Sequence, residues 1–329
     1  MEPNIRYAER KKPVWDVSRP IKVVLLSGPT AVGKSKLAVL LAKEVKGEVV
    51  SCDSMQVYKG MDIGTAKTTL GDMDGIPHYM IDLRDVSEPM TVVDFYRQAM
   101  EAVEHIARKG KIPIVVGGAG FYMRTLLYGP PKGPPSNPLV RTRIEDEMEK
   151  FGPEMLYAKL RAIDPDYAET ITVQDKQKII RSLEIIAIEN KKVSEIPKPS
   201  QEDVPSHIDF KCYFVYYPKE ILYSLIDTRC DEMLRRGLLE EVKHLRKEGL
   251  EYNVSASRAI AYRQAIDYLD SPQSPEDYRL FVERFKKASR NYAKRQFTWF
   301  KKEPHFQWIE LDRKAPSLLI DRIKYDLVK

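Results

Sequence analysis

Nowhere does this 329-residue chain approach the ~18 consecutive apolar residues of a membrane-spanning helix, so no part of it is expected to cross a bilayer. Cysteine is scarce and scattered. Cys52, Cys212 and Cys230 are odd in number and far apart, with no C-x-x-C pair. That argues against a disulfide framework or a zinc site and suits a reducing cytoplasm. The five histidines show no ligand spacing either. The opening MEPNIRYAERKKPVWDVSRP lacks the apolar run of a signal peptide and reads as a flexible, basic tail over residues 1–20. There is no internal repeat, and no feature demands an oligomer or an obligate protein partner, so a cytoplasmic monomer is expected. What remains is ordinary globular composition, 43% hydrophobic and 31% charged, in a chain able to bury a sizeable core. The formal charge of +6 points to an anionic partner without naming it.

Along the chain, apolar strand patterns alternate with helical ones. IKVVLLS (21–27), GEVVS (47–51), HYMIDL (78–83) and IPIVVGG (112–118) read as strands. Leu37, Val39, Leu40 and Leu41 give helical spacing from Lys34 to Val45, and Thr91 with Asp94 starts a helix running to about Lys109. YGPPKGPPSNP (128–138) and KVSEIPKPSQEDVPSH (192–207) are proline-spaced linkers around a segment that looks helical throughout. FKCYFVYY (210–217) resumes strand character, and after it only HFQWIEL (305–311) is not helical. The expected fold is α/β: a P-loop, doubly wound parallel sheet core with an inserted all-helical domain. The expected boundaries are 21–135 for the first part of the core, 136–206 for the insert and 207–329 for the rest.

The strongest motif is LLSGPTAVGKS. Gly28, Pro29, Thr30, Ala31, Val32, Gly33, Lys34 and Ser35 match G-x-x-x-x-G-K-S between a strand and a helix. Glycines allow a tight turn whose backbone N–H groups, with the helix N-terminus, face an anion; Lys34 adds charge and the Ser35 hydroxyl can ligate magnesium. The pattern signals phosphate and is silent about the reaction. Asp53, in CDSMQVY, follows the second strand and should overhang the mouth of the cradle. A carboxylate there can be a general base or an indirect magnesium contact, or simply an N-cap or Asx turn. Gln56 could read an adenine edge or satisfy its own loop.

A nucleotide hydrolase normally ends another strand in an acidic magnesium ligand, whereas IPIVVGGAGFY ends in glycines, leaving only Asp82 or Asp85 as substitutes. Gly117, Gly118 and Gly120 fit either close approach of a flat group or a packing turn. Finally, RFKKASRNYAKRQFTWFKK (284–302) holds eight basic residues and no acidic one, interleaved with Phe285, Tyr292, Phe297, Trp299 and Phe300. On a helix Arg290 and Lys294 share a face, suited to phosphodiester oxygens while aromatics pack inward or stack on bases.

Taken together, GPTAVGKS, DSMQVYKGMDIGTAK, GIPHYMIDL, VVGGAGFYMRTLLYG and KRQFTWF resemble the signatures of the tRNA dimethylallyltransferase (isopentenyl-tRNA transferase) family, in its order, from residue 21 to about 300. The resemblance implies transfer of a dimethylallyl group from dimethylallyl diphosphate to the exocyclic amine of the adenosine just 3′ of a tRNA anticodon. It implies Asp53 as general base, Thr30 as holder of the reacting amine, and Gly33, Lys34 and Ser35 with Mg2+ as the diphosphate clamp, aided by Arg229. RNA contacts are implied for Asp53, Ser54, Met55 and Gln56, for Gln177 to Arg181, including Lys178, for Arg258 to Arg263, and for Ser289 to Gln296, including Arg290, Lys294 and Arg295. Arg141 is the implied contact from the insert. The usual GGTGLY is GGAGFY here, so the RNA-facing position Ala119 has no hydroxyl, and Ala261 stands where the family has glycine. The family's eukaryotic members add a C-terminal zinc finger, absent from this sequence, which therefore resembles the bacterial form.

Three other readings stay open at this level. A small-molecule kinase acting with ATP would use the same cradle, with Asp53 as base on an alcohol. A relative could prenylate free adenine nucleotides by the same chemistry. A non-catalytic, nucleotide-switched RNA-binding protein would leave Asp53 structural.

Overall fold

Val23 to Leu26 are wholly excluded from solvent. A continuous apolar run of this kind forms a strand covered on both faces, and β1 (Ile21–Ser27) lies inside the sheet. The computed structural model describes residues 20–197, 199–200, 203–311 and 317–328, so all of the expected tail but Pro20 lies outside the described residues. After β1 come α1 (Lys34–Val45), β2 (Gly47–Ser51), α2 (Leu70–Met73), β3 (His78–Tyr79), α3 (Val92–Arg108), β4 (Ile112–Gly117) and α4 (Gly120–Tyr128). Three helices follow, α5 (Pro138–Ile163), α6 (Pro165–Ala168) and α7 (Lys176–Glu189), before β5 (Ile208–Tyr216). The chain closes with α8 (Lys219–Arg235), α9 (Leu238–Lys247), α10 (Val254–Ser257), α11 (Tyr262–Leu269), α12 (Pro275–Phe300), β6 (Gln307–Glu310) and α13 (Ser317–Val328).

All strand pairs are parallel, in the order β3-β2-β4-β1-β5-β6. The crossover matters. Because β4 sits between β1 and β2, the carboxyl ends of all three meet at one edge, where parallel sheets bind ligands. The register is tight there: Ser27 pairs with Gly117 and Ser51 with Val116, while the Ser27 hydroxyl donates to the Gly117 carbonyl at 2.9 Å. This is the expected doubly wound P-loop core.

Two compact units are distinguished: the chain up to Gly129 together with Val204 onwards, and Pro130–Asp203. The second holds α5, α6 and α7 and no strand among the described residues, around a small core of Ile144, Met148, Leu156, Leu160, Ile179, Ile180 and Leu183. Within it α5 breaks at Gly152, where φ is +81° and Pro153 follows.

One strand is shorter than its sequence suggests. HYMIDL contributes only His78 and Tyr79 to the sheet. Met80 (φ +65°) and Asp82 (φ +55°) turn the backbone out of the extended state. The Asp82 and Leu83 N–H groups bond the Gln56 and Val57 carbonyls instead, closing the loop that follows β2. The start of α3, in contrast, follows its sequence signal: Thr91 Oγ1 accepts the Asp94 N–H at 3.1 Å and the Asp94 carboxylate accepts the Thr91 N–H at 3.3 Å.

Candidate active site

The cradle between β1 and α1 is shaped by contacts with the sheet. A Cβ on Gly28 would fall 2.3 Å from the Val215 carbonyl oxygen of β5, so only glycine lets the turn pass that close. Gly33 caps α1 with φ +89°, again a glycine conformation. Lys34 folds back over the loop and donates to the Gly28 and Pro29 carbonyls at 2.9 and 2.8 Å. Burial and the neighbouring Arg229 charge bring its ammonium pKa down to about 7, against the opposing pull of Asp53.

Asp53 stands beyond the end of β2, half-buried. Its Oδ1 accepts the Met55 N–H at 2.8 Å and, more weakly, the Gln56 N–H at 3.3 Å. The Asx turn is therefore real. Yet the same carboxylate lines the cavity mouth, and no hydrogen bond among the described residues engages Oδ2. Gln56 is spoken for: its amide accepts from the Ser51 hydroxyl at 2.9 Å and donates to the Thr65 carbonyl at 3.4 Å, inside the loop. An adenine-reading role is not favoured by that arrangement.

From α8, Arg229 reaches Thr30 Oγ1 at 3.3 Å and the Thr65 carbonyl at 3.5 Å, long contacts that leave its donors available to an anion. Burial lowers its pKa, partly offset by Asp53. Two cavities adjoin here. One, of about 250 Å³, is lined by Gly33, Lys34, Ser35 and Gly118; the other, of about 290 Å³, by Met55, Ile226, Met233, Tyr262 and Phe285. Thr30, Ala31, Asp53, Thr65, Arg229 and Tyr292 line both, so the polar and apolar chambers meet at the carboxylate. Burial and the Asp53 charge hold the Tyr292 hydroxyl well above its ordinary pKa, so it stays neutral at that junction.

The loop bearing Thr65 is pinned from two sides. Glu241, on α9, accepts the backbone N–H groups of Asp62, Ile63 and Gly64 at 3.1, 2.6 and 3.0 Å, and the Tyr262 hydroxyl at 2.7 Å. Opposite, buried Lys67 pairs with Asp62 and Asp82, each at 2.6 Å. Glu241→Ala removes the acceptor shared by four donors and is expected to lower unfolding free energy by about 1–3 kcal/mol in urea titration. A loss below about 0.5 kcal/mol would show that the loop holds itself.

The glycines at the end of β4 and just beyond it answer to packing. Cβ atoms on Gly117, Gly118 and Gly120 would meet the Cys52 carbonyl at 1.9 Å, Gln296 at 2.2 Å and the Trp299 ring at 2.4 Å. The close approach comes from the chain itself. Asp82 and Asp85 likewise serve elsewhere, paired with Lys67 and Lys59, and line neither chamber.

The candidate RNA positions fall into distinct places. On α12 the aromatics turn inward, with Phe285 and Phe300 buried and Phe297 against Phe214 at 5.5 Å between ring centres. Lys294 and Arg295 are exposed. Arg290, expected to share their free face, is tied to Asp227 at 2.6 Å, as Lys286 is to Asp231. Arg258 lines the apolar chamber and, with Arg263, an outer cleft of about 350 Å³. Just before α11, Ala261 is buried with φ +77° and ψ −53°, a conformation that costs a residue with a Cβ on the order of 1–3 kcal/mol. Ser54 and Met55 line the apolar chamber, and Ala119 caps α4 without a side-chain bond. In the helical unit, Arg141 bonds Gln177 at 2.7 Å and joins Arg181 around buried Glu184 at 3.6 and 2.8 Å, while Lys178 pairs with Asp175 at 3.1 Å. Those arginines are thus partly neutralised.

From sequence alone no role is assigned to Thr65 or Glu241, and Tyr262 and Tyr292 are reached only as members of the implied RNA-contacting stretches 258–263 and 289–296. The available signal was membership of MDIGTAK for Thr65 and of those stretches for Tyr262 and Tyr292; Glu241 lies in none of them.

Fold and site together define a P-loop protein whose anion cradle opens onto a second, apolar chamber. Comparison narrows the class. The sequence model of the IPP transferase family matches residues 56–303. The tRNA dimethylallyltransferase of Protochlamydia amoebophila is 50% identical over 305 residues, 93% of this chain and 88% of that protein. That of Chlamydia pneumoniae is 46% identical over 290 residues, 87% and 83% of the two chains. Among solved structures, the full-length tRNA isopentenylpyrophosphate transferase of Bacillus halodurans superposes with a TM-score of 0.67 at 35% identity, covering 93% of this chain and 96% of that one. A eukaryotic dimethylallyltransferase, solved acting on tRNA, gives a TM-score of 0.75 at 31% identity, covering 94% and 79%. The chain belongs to the IPP transferase family.

Proposed function

We propose that this protein transfers a dimethylallyl group from dimethylallyl diphosphate to the N6 amine of the adenosine 3′-adjacent to the anticodon in the tRNA anticodon stem-loop, releasing diphosphate. The observation that carries the reading is the shared wall of the two chambers. An anion held by the cradle and a flat base held among apolar side chains would meet beside Asp53.

An aromatic exocyclic amine is a feeble nucleophile because its lone pair is delocalised into the ring. Attack therefore needs a good leaving group and a place for the proton. As the C–N bond forms, the C–O bond to diphosphate breaks and its electron pair leaves with the phosphate oxygen. Cradle N–H groups, Lys34 and Arg229 meet that growing charge as preorganised donors. Asp53 Oδ2 takes the amine proton. Thr30 supplies a hydroxyl at the junction to hold the amine. To reach this point the adenine must leave its stack, at a cost of a few kcal/mol, offset by contacts made elsewhere on the RNA.

Magnesium fits the donor set. No cluster of three or more His, Cys, Asp or Glu side chains able to hold a metal exists among the described residues, which does not suit a resident ion. The Ser35 hydroxyl in the cradle suits an ion that keeps its waters and arrives with substrate phosphates. Bound there, Mg2+ would supply charge neutralisation for the departing diphosphate.

RNA contacts are assigned to exposed Lys294 and Arg295 on α12, to Ser54, Met55, Arg258 and Arg263 at the chamber rim, and to Arg141, Gln177, Lys178 and Arg181 of the helical unit. No helix among the described residues is long and apolar enough to cross a membrane; a tRNA-modifying role suits a cytoplasmic protein. Replacing Lys294 or Arg295 by Ala should flatten the salt dependence of tRNA binding by roughly 0.7–0.9 in log K per log salt. Arg290→Ala should change it less, because Asp227 already neutralises that charge. Filter binding across a sodium chloride series measures this, and full slopes in the first two variants would move the RNA surface off α12. The reading as a whole is tested by incubating the protein with unmodified tRNA, Mg2+ and radiolabelled dimethylallyl diphosphate, with labelled ATP and free AMP in parallel tubes. Label in the RNA upholds it. Label from ATP on a small acceptor, or in AMP, replaces it with a kinase or a nucleotide prenyltransferase.

A further inference from the structure

Gln296 follows exposed Arg295 on α12, yet its own side chain is only 4% exposed and points into the protein. Both ends of its amide are used. Oε1 accepts the Thr30 N–H at 2.9 Å, and Nε2 donates to the Gly118 carbonyl at 3.0 Å. Gly118 makes the room, since a Cβ there would stand 2.2 Å from Nε2.

The Thr30 N–H and the Pro29 carbonyl belong to one planar peptide unit. Gln296 holds its N–H side and Lys34 its C=O side, at 2.9 and 2.8 Å. When Lys34 turns from the loop carbonyls to a bound anion, the second restraint is released and Gln296 alone keeps that plane. Without it the peptide is free to rotate and aim the Pro29 carbonyl dipole at the anion. The same motion would shift Thr30, whose hydroxyl accepts from Arg229.

We propose that Gln296 is a positioning residue: seated over Gly118, it fixes the Pro29–Thr30 peptide so that the cradle accepts diphosphate. The proposal rests on the reading of the cradle as the diphosphate site. Gln296 lines the cradle chamber, but with both ends of its amide engaged it sets the affinity of the cradle through the backbone rather than by donating to the anion. It also gives one physical reason for the glycine pair that ends β4.

The test is calorimetric titration of magnesium and inorganic diphosphate into the full chain, wild type and three variants: Gln296→Met, Gly118→Ala and the double variant. Gln296→Met keeps side-chain length but removes both hydrogen bonds, and Gly118→Ala keeps Gln296 but takes its seat. Each single variant should weaken diphosphate binding by about tenfold, near 1.4 kcal/mol, and the double variant by no more than either. In turnover the KM for dimethylallyl diphosphate should rise by the same factor, with kcat within about threefold and the KM for tRNA within about twofold. Thermal melting establishes that the variants are folded, and Gly118→Ala carries the test should Gln296→Met fail to fold. Folded variants that bind diphosphate as tightly as wild type overturn the role of Gln296 and leave the cradle assignment standing. Losses that simply add in the double variant overturn it too, since the two residues would then act separately. A wild-type protein blind to inorganic diphosphate removes the cradle assignment, and this proposal with it.

Discussion

Asp53→Asn should lower turnover by about 10² or more while tRNA affinity stays within a few-fold of wild type. The substitution is informative because the structure gives Asp53 two separable tasks. Its Oδ1 organises the turn after β2 through the Met55 and Gln56 N–H groups. An asparagine keeps an Oδ1 acceptor in the same place, so the turn survives. What it loses is the basicity of the second oxygen, the one directed to the reacting amine in the proposed mechanism. Removing a negative charge beside Lys34 and Arg229 should also leave dimethylallyl diphosphate binding intact or tighter at a pH low enough to keep Lys34 charged, since Asp53 both repels the incoming anion and holds the Lys34 pKa up. The signature is thus a fall in single-turnover rate at saturating substrates without a rise in either KM. A rate within about threefold of wild type would make Asp53 a turn residue only and revive the non-catalytic reading.

Much of this site could be read from local sequence because the relevant interactions are local. Strand, glycine turn and helix start of the cradle lie within 15 consecutive residues, 21–35, and each is fixed by its own backbone preferences. The capping box of α3 is read from four residues, Thr91 to Asp94. What could not be read is long-range. Gln296 reaches Thr30 across 266 positions and Gly118 across 178, and nothing in KRQFTWF tells the glutamine from its exposed neighbours. The Arg290–Asp227 and Lys286–Asp231 pairs show the same limit, because a basic run announces charge but not which charges are already spent. HYMIDL was misleading for a different reason. Its apolar alternation is that of a strand, but Met80 and Asp82 adopt positive φ as the Asp82, Leu83 and Arg84 N–H groups are drawn to the loop after β2. Thr30, Asp53 and Arg229 come from β1–α1, β2 and α8, and only the strand order gathers them around one opening.

The second large effect concerns Lys34, whose ammonium pKa of about 7 makes charge at the cradle depend on physiological pH. The sign follows from the direction of the shift. Below pH 7 the free protein carries the ammonium and can meet an incoming diphosphate; as pH rises through 7 the group becomes a neutral amine. The quantity kcat/KM for dimethylallyl diphosphate reports the free enzyme, so it should descend with an apparent pKa near 7. Bound diphosphate places negative charge against the same nitrogen and raises its pKa, so the corresponding limb in kcat should lie at higher pH. Lys34→Met should cost about 10²–10³ in kcat/KM at pH 6.5, the loss expected for one donor to a developing anion. It should also erase the descending limb, shrinking the difference from wild type as pH rises. Lys34→Arg separates charge from titration, because a guanidinium stays protonated throughout. It should be slower than wild type, since its fork does not reproduce a compact ammonium folded against two carbonyls, yet flat through pH 7. A descending limb near pH 7 that persists in both variants would assign the titration to another group and leave Lys34 charged in the free protein.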